Sequence, residues 1–167
     1  MPAGSITARR DLLTRPGAAD GFSMKKIWAD PLFWCFLAAG PVVCLALGRL
    51  LPAGFAWGWP PAGLAALLLI VLVYPLLEEL VFRGQLQPWL RGRLGVALPG
   101  PLSAANLLTG ALFTALHFLF HPPLWALGVF IPSLVFGYFR ERHDSLVAPI
   151  ILHVAYNAAY CLILGRL

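Results

Sequence analysis

Charge is what this chain has least of. Seven Asp and Glu against twelve Lys and Arg make up 11% of 167 residues, where a soluble domain carries about 25%. Cysteine is scarce too: Cys35, Cys44 and Cys161 all fall inside apolar segments, which excludes a disulfide framework and a thiolate metal site. No HExxH spacing occurs, and no apolar leader precedes residue 31, so a secretory signal peptide is not expected. What fills the space is apolar: 60% of residues are hydrophobic. One small core cannot hide that much apolar surface, and the surplus must face lipid.

The expected fold is therefore all-α, a polytopic integral membrane bundle. Five apolar segments match the ~20 residues that cross a bilayer, at approximately 31–50, 62–83, 103–120, 123–140 and 146–165. Turn chemistry separates them: "LPAGFAWGWPPAG", "RGRLGVALPGP", "HPP" and "RERHDS". The third and fourth are short, which predicts tilt or burial within the bundle. Residues 85–100 read as an interfacial stretch, and the polar residues 1–30 as a cytosolic tail. Five spans with the N-terminus inside put ten of the twelve Lys and Arg on the cytosolic side, leaving only Arg49 and Arg166 outside. This N-in, C-out arrangement satisfies the positive-inside rule, and it explains the net charge of +5 without a nucleic-acid partner.

Against that background the polar residues inside the spans stand out, because a charge near the centre of a membrane helix costs at least ~2.5 kcal/mol. In "EELVFR", Glu79 and Arg83 are one turn apart and can pair. Glu78 is rotated about 100° away and remains available. In "FTALH", Phe113 and His117 share a face; in "HVAYN", His153 and Asn157 do the same. Pro75 predicts a kink just before the carboxylates. Other polar residues take plainer readings. His121 in "HPP" is a loop residue, His143 in "RERHDS" is solvated, and Tyr156 and Tyr160 follow His153 at spacings that permit them to line the same cavity.

Glu-Glu-x-x-x-Arg, Phe-x-x-x-His and His-x-x-x-Asn, in that order on separate apolar spans, resemble the CAAX prenyl protease and bacteriocin-processing (CPBP, or Abi) family of intramembrane proteases. The surrounding "EELVFRG" and "SLVAPIILHVAYN" are close to the family's usual wording, and the resemblance covers roughly residues 60–165. It implies that residues 31–167 form an intramembrane protease domain in a bacterial inner membrane, acting on a membrane-anchored or lipid-modified protein tail. It also implies roles: Glu78 as general base, His117 sharing the water, His153 and Asn157 as oxyanion donors, with Glu79, Arg83 and Phe113 in support. The short length and the "DPLFW" opening look similar to the JDVT-CTERM sorting type within that family.

Three alternatives stay open at this level. Glu78, His117 and His153 are a chemically sensible set for zinc, although metal-free Glu/His catalysis, with no cofactor, is the favoured form. A non-catalytic scaffold or immunity protein would keep the helices without needing Glu78, both histidines and Asn157. An ion or proton carrier would string its polar residues along a path, where here they cluster at three motifs.

Overall fold

The computed structural model describes residues 24–50, 63–94 and 101–164, and every described secondary-structure element is helical. Six elements follow one another: α1 (Met24–Trp28), α2 (Pro31–Leu50), α3 (Leu64–Leu94), α4 (Ala104–His117), α5 (Pro123–His143) and α6 (Val147–Leu164). Four of them, α2, α3, α5 and α6, are long and apolar enough to cross a membrane. The expected third span is the exception. As α4 it has 14 residues, about 21 Å at 1.5 Å per residue, and it buries Asn106, Thr109 and Thr114. A short helix that turns polar groups inward sits in a bundle by packing.

Local chemistry sets the ends. Asp30 caps α2, its carboxylate accepting from the Leu32 N–H at 3.1 Å, and Pro31 occupies the first helical position, where no N–H is needed. Ser103 caps α4 by accepting from the Asn106 N–H at 2.9 Å. Asp144 closes α5 in the left-handed region (φ 46°, ψ 42°), one of the few side chains other than glycine that tolerate it.

α3 departs most from expectation. The sequence places a span end near residue 83 and an interfacial segment after it; instead the helix runs unbroken to Leu94. Arg83, read as the last residue of the span, and Gln87, read as part of the interfacial stretch, are buried against α5, where side-chain and backbone acceptors meet them. Residues 95–100 of the expected interfacial stretch lie outside the described residues, as do residues 1–23 of the expected tail. The outer face of α3 is apolar, with Leu68, Leu69, Leu72, Leu76, Leu80 and Val81 exposed, while Pro75, Glu79, Phe82, Arg83, Gln87 and Leu90 point inward. A helix with polar groups inside and leucines outside is stable only in lipid.

α6 packs against α2, α3 and α5, and α5 also packs against α4. The main apolar cluster joins Ile27, Phe33, Phe136, Phe139, Ala148 and Leu152 from α1, α2, α5 and α6. Residues 24–30 thus fold onto the bundle. Asp30 is tied to the end of α5, receiving Arg142 Nε at 2.6 Å and Nη2 at 3.2 Å. His143, expected to be solvated, has a side chain only 7% exposed. It stacks on Phe139, with Nε2 3.1 Å from Asp30 Oδ2 but outside hydrogen-bond geometry. α5 continues three residues past the expected span end, which carries His143 under the α1–α2 corner.

Close approach needs one small residue in particular. The Asn106 carboxamide occupies the space a Cβ at Gly137 would fill, and its Nδ2 donates to the Leu134 carbonyl at 3.0 Å. Glu141 ties three helices together at the same level, accepting from Ser103 Oγ at 2.6 Å and Gln87 Nε2 at 2.8 Å.

Candidate active site

Glu78 lies 14 residues into α3, about 21 Å from its start and about 24 Å from its end at 1.5 Å per residue. The continuation of α3 to Leu94 leaves Glu78 well inside that helix, whereas His117 is the last residue of α4.

The two adjacent carboxylates have separate surroundings. Glu79 is fully buried; its Oε1 accepts from Arg83 Nη1 at 3.0 Å and from His153 Nδ1 at 2.8 Å. Arg83 is equally buried, and its Nη2 donates to the Ser133 carbonyl at 2.9 Å and to the Ser133 hydroxyl at 2.5 Å. Its guanidinium lies 4.7 Å from the centre of the Phe113 ring and 5.5 Å from that of Phe136, so aromatic faces take the place of water around the cation. Glu78, one residue earlier, keeps 29% of its side chain exposed and has Oε2 3.5 Å from His153 Nε2. That separation is an ion-pair distance, longer than a direct hydrogen bond.

Both histidines have an assigned tautomer. The His117 Nδ1 lies 2.8 Å from the Phe113 carbonyl, which only accepts, so Nδ1 carries the proton and Nε2 is left as an acceptor in the neutral ring. The His153 Nδ1 likewise donates to Glu79, and its Nε2 is turned towards Glu78. His153 is held flat by Phe136, with ring centres 4.7 Å apart and planes at 22°. Phe113 stands between the two imidazoles, 4.4 Å from His117 and 5.9 Å from His153.

Glu78, Phe113, His117, His153 and Asn157 all line one cavity of about 670 Å³, whose walls are otherwise mainly apolar. Glu79 and Arg83 stand behind it, where they hold the lining in place. Asn157 differs from expectation in one respect: its Nδ2 donates to the Ile70 carbonyl of α3 at 2.9 Å, so one of its two N–H groups is spent inside the protein.

Some residues of this region were not singled out by the sequence. Ser133 is a lone hydroxyl in an apolar run, and nothing local distinguishes it from a packing residue. His121, read as a loop residue, lines the cavity, packing on Trp125 with ring centres 4.0 Å apart and planes tilted by 31°, and stacking on His117 at 5.6 Å. Its position one turn after His117 was the available signal. Tyr156 and Tyr160 line the cavity as well, and the Tyr156 hydroxyl donates to the Phe36 carbonyl at 2.6 Å. Among the described residues no group of three or more His, Cys, Asp or Glu is placed to hold a metal ion. His153 Nδ1 is already engaged by Glu79, which leaves that ring one nitrogen.

Residues 59–159 match the model of the family described as Type II CAAX prenyl endopeptidase Rce1-like. No curated protein and no solved structure matches the chain.

Proposed function

Because the chain belongs to the Rce1-like family of type II CAAX prenyl endopeptidases, we propose that it hydrolyses a peptide bond in a membrane-anchored or lipid-modified protein tail, using Glu78 as general base. The observation that carries this reading is the arrangement around the cavity. One carboxylate open to it, an imidazole with a free acceptor nitrogen and a second imidazole turned towards the carboxylate share an apolar chamber. An extended peptide and a lipid chain both suit such a space.

The chemistry follows from the donor and acceptor inventory. Water held between Glu78 and His117 Nε2 loses a proton to Glu78 as its oxygen attacks the scissile carbonyl. The carbonyl oxygen takes up negative charge, and His153 donates to it from Nε2 in the imidazolium form, since Nδ1 already gives its proton to Glu79. The C–N bond then breaks, the proton passes to the leaving amine, and a new carboxyl terminus remains. Glu79 fixes the tautomer and plane of His153, while Arg83 and Phe113 fix Glu79. The apolar walls exclude bulk water, which strengthens each of these interactions. No step is routed through a metal.

The test is cleavage of two membrane-reconstituted reporter peptides, one ending in a prenylated cysteine followed by three residues and one lacking the prenyl group. Wild type is compared with Glu78→Gln and His117→Ala, each with and without a chelator. Loss of cleavage in both variants, by about 10²–10⁴-fold, with melting temperature retained and no chelator effect, supports the reading. Cleavage that survives Glu78→Gln removes the catalytic assignment and leaves the scaffold reading.

A further inference from the structure

Two carbonyls of α3 lose their backbone donors in the same way, and a side chain from another helix meets each. Residues Leu69–Val73 form a π turn, in which each N–H reaches back five residues; the Tyr74 N–H accordingly donates to the Leu69 carbonyl. The next carbonyl in register, Ile70, is due the N–H of residue 75, but Pro75 has none. Asn157 Nδ2 of α6 donates to it at 2.9 Å. One segment later the pattern recurs. Phe82–Leu86 is a π turn, the Gln87 N–H donates to the Phe82 carbonyl, and the carbonyl of Arg83 is due the missing N–H of Pro88. Arg140 Nε of α5 donates to it at 3.0 Å.

A carbonyl without a donor in an apolar bundle is costly, since no water is there to satisfy it. Two such groups, one before Glu78 and one beyond Glu79, therefore require their partners. We propose that Asn157 and Arg140 are positioning residues, which fix the height and rotation of α3, and with it Glu78, by standing in for the N–H groups that Pro75 and Pro88 lack. Asn157 acts through the backbone of α3 and not as a donor to substrate. Two prolines that would otherwise loosen α3 become instead the sites where α5 and α6 grip it. The effect on activity rests on the reading of Glu78 as the base; the effect on α3 does not.

The experiment is a mutant cycle on the full chain in detergent, read first as melting temperature and then as kcat and KM on the prenylated reporter. Asn157→Ala lowers the melting temperature by roughly 3–8 °C and kcat by about tenfold or more, with KM little changed. Pro75→Ala gives residue 75 an N–H, so the Ile70 carbonyl gains a backbone donor whether the turn stays π or relaxes to α. The Pro75→Ala/Asn157→Ala double variant therefore recovers both quantities to near the Pro75→Ala values. Pro88→Ala controls for the general gain of replacing a helical proline, because it restores a donor at the other carbonyl and leaves Asn157→Ala unrescued. A double variant as impaired as Asn157→Ala alone, equal rescue by Pro88→Ala, or an Asn157→Ala protein indistinguishable from wild type each overturns the proposal. The melting cycle reads the same whichever substrate the protein takes, so failure of the hydrolase reading and failure of this one are told apart.

Discussion

Neighbouring carboxylates behave differently when one faces a cation and the other a cavity. Glu79 and Arg83 have no exposed side-chain surface, so neither can recover its lost hydration if the other is removed. Glu79→Ala leaves the guanidinium and the His153 Nδ1–H without their shared acceptor, and the expected loss is about 3–5 kcal/mol of stability, measured by unfolding in detergent. Arg83→Lys does not repair the site, because an ammonium lacks the planar fork that reaches Glu79 and Ser133 together. Glu78→Gln, by contrast, is expected to leave the melting temperature within a few degrees of wild type. Its carboxylate comes no closer than 3.5 Å to His153 Nε2 and keeps part of its surface open.

Between elements, the corner where α1 and α2 meet the end of α5 is held by charge. Arg142 beside Asp30 keeps the Asp30 carboxyl below its ordinary range, its hydrogen bonds outweighing the opposing effect of burial. The sign follows directly. A carboxyl with a depressed folded-state pKa contributes stability at pH above its unfolded value, about 3.9, and loses it as pH falls through the folded value. Wild type is thus more stable than Asp30→Asn at pH 6, and the gap between their melting temperatures closes towards pH 3. A gap independent of pH would show that the corner is held by packing of Ile27 and Phe33 and not by the ion pair. His143 shares this corner, so His143→Gln belongs in the same series.

At the scale of the whole molecule, the exposed leucines of α3 and the length of α2, α3, α5 and α6 place the chain in a bilayer. Orientation is an expectation drawn from charge. With the N-terminus inside, a cysteine introduced at Asp144 in a cysteine-free variant labels only from the cytosolic side. One at His121 labels from the opposite side, through the cavity mouth or the loop. The reverse pattern would invert the topology and put the Arg140–Asp144 end outside.

Composition and spacing settle what the environment must be and which residues face each other across one turn. Eleven per cent charge dictates lipid, and the i, i+4 pairs Glu79–Arg83, Phe113–His117 and His153–Asn157 follow from helix geometry. The family resemblance rests on those same short motifs. The ends of α3 were not legible, because a polar residue such as Arg83 ends a membrane helix or stays inside it according to the partners it finds. Its partner, Ser133, is fifty positions away. Nor could the sequence assign His153 to Glu79 or Asn157 to a carbonyl of α3, since both bonds join helices whose faces meet only after packing. Local periodicity depends on nearest neighbours along the chain. The state of a buried polar group depends on what the fold brings to it, and that the tertiary structure alone decides.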